Sequence, residues 1–237
     1  MMVASGDYQV QCEEDALQFL VGKGCQHIVM HSKAISDDAL TAWAKKLPGL
    51  VLVNRCVKDI APQCVWLDNA QGTYLATKHL IEHGHRDIAY ISCEMALDDK
   101  AARFEGYQRA LQEVGIAVNP DWVEEVPFGE QSGAIAATNL LNKGLPVTAV
   151  VAFNDFFAAA AMQVFREQGV SMPERLSIVG FDDVLPSCYF SPALTTIRSP
   201  IESMGMNAAR LSLGEQTTAP VREFQPILIK RQSVQRR

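Results

Sequence analysis

Two adjacent carboxylates, Asp182 and Asp183, end the apolar run at residues 176–181 and are the residues best suited to chemistry in this sequence. A pair of acids at a strand end suits proton transfer, metal binding or recognition of a ligand, and it also occurs in ordinary acidic turns. Successive side chains of a strand point to opposite faces, so the two acids cannot easily share one substrate proton. We therefore expect one carboxylate to face a ligand and the other to cap or bridge.

Four further places put hydrogen-bonding side chains directly after apolar runs: Asn54-Arg55, Asp68-Asn69, Ser92 and Asn154-Asp155. In an open α/β sheet, ligands bind beyond the carboxyl ends of the strands. Amide, carboxylate and guanidinium groups together supply the donors and acceptors that a polyhydroxyl ligand requires. The aromatic residues that could cover the C–H face of a sugar are Phe128, Phe153, Phe181 and Trp66. Asn and Asp after a strand are equally typical of helix N-caps, which is the alternative for each of them.

Enzyme motifs are weak in this sequence. It contains no G-x-S-x-G, Walker or G-x-G-x-x-G motif, and "VGKGCQ" at 21–26 lacks the third glycine. "HGHRD" at 83–87 places two histidines around a glycine, which favours a turn over a metal site because no third ligand is near in sequence. The six cysteines form no C-x-x-C pair and no zinc spacing. We expect no catalytic residue, no metal and no cofactor.

The composition indicates a soluble globular protein that holds no nucleic acid by itself. Of the 237 residues 48% are apolar, and the net charge of −6 leaves no positive surface for phosphates. The basic residues at 230–237 are interpreted as a solvated terminus. The sequence shows no signal peptide and no apolar run of membrane length, and the cysteine pattern suits a reducing compartment. The prediction is a cytoplasmic protein with no membrane partner.

Apolar runs alternate with segments of helical periodicity, which indicates parallel sheets covered on both faces by helices. Strands are predicted at residues 27–32, 48–55, 64–69, 87–93, 148–153, 176–181 and 222–234. Helices are predicted at residues 36–47, 71–84, 100–115, 132–144, 155–169 and 200–214. Ser36 is expected to cap the first of these helices. The pattern predicts an α/β fold of doubly wound parallel sheets.

An ordered set of motifs resembles the ligand-binding core of the LacI/GalR family of bacterial repressors. The motifs are "HLIEHGHRDIAYIS" (79–92), "RFEGYQRAL" (103–111), "FND" with "AAAAM" (153–162), "MPERLSIVGFDD" (172–183) and "SPALTTIRSP" (191–200). The resemblance extends over nearly the whole chain. Within the family, the galactose-responsive members are most similar at residues 30–38, 50–55, 64–69 and 226–234.

The resemblance implies a type I periplasmic-binding-protein-like fold, in which two α/β lobes are joined by three crossovers and an effector binds between them. It places the first lobe at residues 1–93 and 198–219, and the second lobe at 94–197 and 220–237. Family members also carry an N-terminal helix-turn-helix head, which is absent from this sequence. The first strand and helix of the first lobe are expected to be missing too, so that the chain opens on the second strand at about residues 8–10.

The family's effector-binding positions carry over one residue at a time. Arg103 matches the arginine that forks onto the effector, Asn154 the asparagine after a strand, and Asp182 the binding aspartate. The resemblance adds Phe128 as the aromatic residue that stacks on the ligand, and Asp68 and Asn54 as weaker matches from the first lobe. On this mapping the second acid, Asp183, has a supporting or capping role.

Together these observations predict the effector-sensing domain of a transcriptional repressor. A sugar, galactose or a related hexose, would bind in the cleft, and lobe closure would reposition the operator-binding heads of a homodimer. The alternative is a periplasmic-type sugar-binding protein of a transporter, which shares the fold. A third hypothesis is an α/β enzyme that uses Asp182 as a base. Purines also suit a cleft that offers Arg, Asn and Asp, so both ligand classes stay open at this point.

Overall fold

Strand pairing divides the chain into two sheets, each packed against its own helices. The computed structural model describes residues 1–144, 147–215 and 221–237. Packing groups the chain into unit 1, which comprises Met1–Asp68 and Pro200–Phe224, and unit 2, which comprises Asn69–Ser199 and Gln225–Arg237. The chain therefore passes from one unit to the other three times, and neither unit is one continuous stretch of sequence.

Unit 1 is built on four parallel strands. The strands are β1 (His27–Met30), β2 (Gly49–Val53), β3 (Cys64–Leu67) and β9 (Glu223–Phe224), in that spatial order. Its helices are α1 (Val10–Gly22), α2 (Asp37–Lys46) and α7 (Ile201–Ser212), with a 3-10 helix at Lys58–Gln63. Ser36 caps α2 as predicted, because its hydroxyl accepts the Ala39 N–H at 3.3 Å. Leu40, Leu50 and Leu52 are fully buried and form the centre of the core of this unit.

Unit 2 contains a six-stranded sheet in the order β10-β8-β7-β6-β4-β5. The strands are β4 (Ile88–Cys93), β5 (Val123–Val126), β6 (Ala149–Ala152), β7 (Ser177–Asp182), β8 (Thr195–Arg198) and β10 (Ile227–Ile229). The helices are α3 (Asn69–Glu82), α4 (Asp98–Gln112), α5 (Ser132–Asn142) and α6 (Asp155–Glu167), with short 3-10 helices at Pro120–Trp122 and Leu185–Cys188. Every pair is parallel except β10 with β8. The central strands are buried on both faces, so the predicted α/β class with parallel sheets is confirmed.

The predicted opening strand at residues 8–10 is wrong. Helix α1 begins at Val10, and Glu13 and Leu17, which are four residues apart, are both buried on one face of it. That spacing is typical of a helix that packs against a sheet. The three residues at 8–10 were too few to reveal a period of 2 or 3.6.

The predicted strand at residues 222–234 is two short strands, β9 and β10, which belong to different sheets. Pro226 separates them. Proline has no N–H for a strand ladder, so the ladder stops there. After this break β10 pairs antiparallel with β8.

The first boundary between the units differs from the predicted boundary after residue 93. Helix α3 and strand β4 belong to unit 2, because β4 pairs with both β5 and β6 in the six-stranded sheet. The second boundary, after Ser199, lies close to the predicted one. The predicted division between residues 219 and 220 lies outside the described residues.

Helices α3 and α4 approach closely where α4 carries a glycine. A Cβ atom on Gly106 would overlap the Ala70 carbonyl oxygen and contact the backbone of Tyr74, both in α3. Backbone atoms cannot move aside as a flexible side-chain end can. The absence of a side chain at Gly106 therefore sets the distance between the two helices.

We expect Gly106→Ala to lower the free energy of unfolding by roughly 1–3 kcal/mol, the usual cost of overpacking a rigid contact. Gly205→Ala is the matched control: Gly205 lies within α7, and nothing would lie within 4 Å of its added Cβ. The control should gain roughly 0.5–1 kcal/mol from helix propensity. Urea unfolding followed by circular dichroism measures both. A Gly106→Ala protein as stable as the wild type would contradict the close contact.

Candidate functional site

Three of the polar strand ends predicted from the sequence lie on neighbouring strands of unit 2. Strands β4, β6 and β7 pair in parallel, so their carboxyl ends meet at one edge of the sheet. Ser92 lies near the end of β4, Asn154 follows β6, and Asp182 is the last residue of β7. The sheet therefore brings together side chains that are far apart in the sequence.

Arg103 projects from α4 and is buried, with only 4% of the residue exposed. Its Nε donates to Asn69 Oδ1 at 2.9 Å, and its Nη1 donates to the Phe153 carbonyl oxygen at 2.7 Å. The guanidinium carbon lies 3.7 Å from the centroid of the Phe181 ring, in a cation–π contact. A buried cation needs such partners because its removal from water is costly. These contacts fix the direction in which Nη2 points.

The Asp182 carboxylate has spare hydrogen-bonding capacity. Its Oδ1 lies 3.5 Å from Arg103 Nη2 and 3.4 Å from the Ser199 hydroxyl, and both distances are long for hydrogen bonds. About a third of the side chain, 34%, is exposed. The backbone φ of 101° lies in the left-handed region, which residues other than glycine rarely adopt. A strained, accessible carboxylate with weakly used oxygens is suited to accept hydrogen bonds from a ligand.

Asp183 has the other role predicted for the pair of acids, because it bridges two arginines. Its Oδ2 accepts Arg198 Nε at 2.6 Å, and its Oδ1 accepts a terminal amino group of Arg231. Only 6% of its side chain is exposed. The carboxylate therefore links the turn after β7 to β8 and to the segment after β10. Both of its oxygens are used in these ion pairs within the protein.

Asn154 is the N-cap of α6. Its side-chain oxygen therefore has the capping role that the sequence offered as the alternative to ligand binding. Oδ1 accepts the Phe157 N–H at 2.9 Å. Within the described part of the chain, its Nδ2 donates to no protein group. The cap fixes the amide plane and leaves a donor at the same sheet edge as Asp182.

Phe128 presents an exposed aromatic ring, with 45% of the residue accessible. Its ring centroid lies 6.3 Å from that of Phe157, which is buried and packs edge-on against Phe153 at 5.6 Å. Phe153 and Phe181, which the sequence also suggested for covering a sugar, are buried and contact the Arg103 guanidinium instead. The fourth candidate, Trp66, is partly buried against the core of unit 1.

Asn54 and Asp68 lie in unit 1, where they follow the neighbouring parallel strands β2 and β3. Asn54 has a φ of 58°, and its Nδ2 lies 3.5 Å from His31 Nε2. The Asp68 N–H donates to the Phe224 carbonyl oxygen at 3.0 Å. Both residues are at the carboxyl ends of strands, as predicted, and their contact with a ligand stays a prediction.

The family resemblance gave no effector-binding role to Asn69, Ser199 and Asp155, which contact or brace the residues above. Asn69 begins α3 and holds Arg103, while Ser199 follows β8 and reaches Asp182. Asn69 and Asp155 both stood in the polar strand-end pairs, where they resembled simple helix caps. Their actual partners lie between 29 and 41 residues away in sequence, so no local signal could identify them.

Asp155 is a fully buried carboxylate at the first turn of α6. Its Oδ2 accepts the Val184 N–H at 2.9 Å, and its Oδ1 accepts the Thr196 hydroxyl. The pKa of this carboxyl is raised to about 7, chiefly by burial; the two hydrogen bonds oppose the rise, and the nearby Asp182 and Asp183 carboxylates add to it. Asp155 is thus an acid whose ionised form is disfavoured in the folded protein.

The arrangement offers hydrogen-bond partners of both kinds beside an exposed aromatic ring. Asp182 carries acceptor oxygens, Arg103 and Asn154 carry donor groups, and Phe128 has an exposed ring face. Hydroxyl groups both donate and accept, and C–H faces pack on aromatic rings, so a small polyhydroxyl molecule matches this set. The two histidines of "HGHRD" are engaged by protein oxygens: His83 Nδ1 by the His79 carbonyl, and both His85 nitrogens by Thr148 and Gln235.

No cluster of three or more His, Cys, Asp or Glu side chains that could hold a metal ion occurs in the described ranges of the chain. Across the same described ranges, none of the helices combines the length and the apolar character needed to cross a membrane.

The raised pKa of Asp155 predicts a pH-dependent stability. The folded state keeps the proton to a higher pH than the unfolded chain does, so between the unfolded value of 3.8 and about 7 this group makes the protein less stable as the pH rises. Asp155→Asn removes the titration. Its free energy of unfolding relative to the wild type should therefore increase by on the order of 1 kcal/mol between about pH 6 and pH 8.

Denaturant unfolding at the two pH values measures this difference. Glu105→Gln is the control, because Glu105 is an exposed carboxylate on α4. Its free energy of unfolding relative to the wild type should not change between the two pH values. If the free energy of unfolding of Asp155→Asn relative to the wild type is equally independent of pH, Asp155 is not a buried group that keeps its proton.

Comparisons with known proteins agree with this fold. The family model of the periplasmic binding protein-like domain matches residues 77–234. The chain is 39% identical to the HTH-type transcriptional regulator GalR of Escherichia coli, over 99% of this chain and 69% of GalR. It is 37% identical to the HTH-type transcriptional regulator GalS of Salmonella typhimurium, over 99% of this chain and 70% of GalS.

A solved structure is similar over nearly the whole chain as well. A sugar-binding transcriptional regulator of the LacI family from Escherichia coli, complexed with phosphate, matches with a TM-score of 0.89 and 30% identity. The match covers 99% of this chain and 86% of that one. The predicted periplasmic-binding-protein-like fold is confirmed. The chain belongs to the LacI/GalR family of transcriptional regulators and constitutes a ligand-binding domain of that family.

Proposed function

We propose that this domain senses a small sugar, galactose or a related hexose, and couples its binding to the control of transcription. The observation that carries the proposal is the Asp182 carboxylate, which is a third exposed and makes only long contacts with Arg103 and Ser199. A hexose hydroxyl can supply the shorter hydrogen bond that this carboxylate lacks. The similar Escherichia coli structure is that of a sugar-binding transcriptional regulator of the LacI family, which supports a sugar as the ligand class.

Four residues of unit 2 divide the recognition between them in this proposal. Asp182 accepts from sugar hydroxyls, Arg103 and Asn154 donate to them, and the exposed Phe128 ring covers the C–H face. Hydrogen bonds to charged groups contribute roughly 1.5–3 kcal/mol each, so Asp182 and Arg103 supply most of the polar affinity. We also propose that Asn54 and Asp68 of unit 1 contact the same effector.

Regulation requires that the effector prefer one arrangement of the protein over another. We propose that binding changes the relative placement of the two units, and that in a cytoplasmic homodimer this repositions helix-turn-helix heads on operator DNA. A ligand shifts such an equilibrium only by its differential affinity, and a full switch needs about 5.5 kcal/mol. The negative net charge of −6 fits a domain that leaves DNA contact to another part of a regulator. A monomer in sedimentation equilibrium at micromolar concentration would contradict the dimer.

A thermal-shift panel of hexoses, glycosides and purines tests the ligand class. We expect D-galactose or a close hexose to raise the unfolding temperature in a concentration-dependent way, because a ligand that binds only the folded state stabilises it. Purine bases are the comparison, since they also suit arginine, asparagine and aspartate. Stabilisation by a purine but by no sugar would overturn the sugar assignment.

Asp182→Asn tests the central contact. The amide keeps the shape but loses the charged acceptor, so affinity for the stabilising hexose should fall roughly ten- to a hundredfold. The unfolding temperature should hardly change, because Asp182 makes only long hydrogen bonds to the protein. Isothermal titration calorimetry measures the affinity. Glu105→Gln, which removes the same charge from an exposed site in the same unit, should bind like the wild type. Unchanged affinity in Asp182→Asn would contradict the site.

A further inference from the structure

The turn that carries Asp182 is strained over two successive residues. Asp182 has a φ of 101° and Asp183 a φ of 56°, and both values lie in the left-handed region. Residues held in such conformations persist only where surrounding contacts determine them. The direction of the Asp182 carboxylate therefore depends on what holds the turn immediately after it.

The Asp155 carboxylate holds this turn through two hydrogen bonds. Its Oδ2 accepts the N–H of Val184, the residue after the two strained ones, at 2.9 Å. Its Oδ1 accepts the Thr196 hydroxyl, which belongs to β8. One buried carboxylate thus links the start of α6, the turn after β7, and β8.

The sequence makes room for this link at Gly180. Gly180 in β7 lies opposite Thr196 in the strand pairing, and a Cβ on Gly180 would overlap Asp155 Oδ1. A glycine at position 180 therefore leaves the space in which the Asp155 carboxylate reaches both Val184 and Thr196. The absence of a side chain at Gly180 and the hydrogen bonds of Asp155 are parts of one arrangement.

The negative charge of Asp155 does not explain why an aspartate holds the turn after β7. The charged groups around the turn are the like-charged Asp182 and Asp183, Arg198 and Arg231, which Asp183 engages, and Arg103, which lies 3.5 Å from Asp182. An ionised Asp155 is repelled by its two acidic neighbours. Hydrogen-bond geometry is what it supplies, and an asparagine can supply the same geometry: its oxygen accepts from Val184 and its amide donates to the Thr196 hydroxyl.

We propose that Asp155 is a positioning residue for effector binding, which sets the direction of the Asp182 carboxylate by holding the Val184 N–H and the Thr196 hydroxyl. The inference rests on the proposed function only in naming the ligand that Asp182 receives. The positioning itself is a property of unit 2 and can be measured without any ligand.

The first test compares Asp155→Ala with Asp155→Asn in calorimetric titrations with D-galactose. Asp155→Ala should lose at least about tenfold in affinity, as expected when a hydrogen bond to a charged group loses its geometry. Asp155→Asn should stay within about threefold of the wild type, because it restores both hydrogen bonds. Wild-type affinity in Asp155→Ala, or a loss in Asp155→Asn as large as that in Asp155→Ala, would overturn the proposal.

The second test needs no sugar. Hydrogen exchange at the Val184 amide, measured by NMR, should be at least about tenfold faster in Asp155→Ala than in the wild type, because its acceptor is gone. Amides of β6 should exchange as in the wild type, and Asp155→Asn should protect Val184. If Asp155→Ala does not fold, Thr196→Val keeps the shape, removes one anchor of the carboxylate and should give a smaller increase at the same amide.

The two tests separate the two hypotheses. A wild-type protein that binds no hexose overturns the proposed sugar, while faster Val184 exchange in Asp155→Ala would still support the positioning role. Unchanged Val184 exchange in both Asp155→Ala and Thr196→Val overturns the positioning role, even where galactose binds.

Discussion

The burial of the Arg103 guanidinium is the constraint on which the site depends. A cation that is 4% exposed must find hydrogen bonds and aromatic faces within the protein. Its partners come from α3, β6 and β7, so these elements must arrive at fixed distances from α4. Gly106 lies one turn beyond Arg103 in α4. It allows α4 to approach the first turns of α3, the helix that begins at Asn69. The same glycine thus serves packing and the orientation of the arginine.

A second consequence of this arrangement concerns the balance of charge. Arg103 is satisfied chiefly by neutral partners, Asn69 and the Phe153 carbonyl, and it lies 3.5 Å from Asp182. A short ion pair would have to be broken before a ligand could use either group, and a broken buried pair is costly. The neutral partners keep Arg103 in place, and the longer separation leaves the Asp182 carboxylate able to accept a hydrogen bond from another donor. Asp183, in contrast, is saturated by two arginines and stiffens the turn.

The sequence pattern was sufficient for the α/β class, for most elements and for the sheet edge where polar residues gather. Those predictions depend on local periodicity and on the rule that parallel strands end at a common edge. The pattern failed where local signals were short or broken: residues 8–10 were assigned to a strand, β5 with its two adjacent glutamates was missed, and Pro226 divided the last strand. The residues that support the candidate site were only partly predictable. Asp155 and Asn69 look like helix caps in sequence, and only the fold brings Thr196, Val184 and Arg103 to them.

The short segment that carries β9 and β10 has a consequence for the newly made chain. β9 covers the outer edge of β3 in one sheet, and β10 covers the outer edge of β8 in the other. Both strands follow β3 and β8 in the chain, so β3 and β8 are synthesised before their partners exist. Uncovered sheet edges are templates for pairing with other chains. Because two residues separate β9 from β10, the outer edges of β3 and β8 are covered at nearly the same moment. The covering of these two edges is therefore a single late event and not a gradual one.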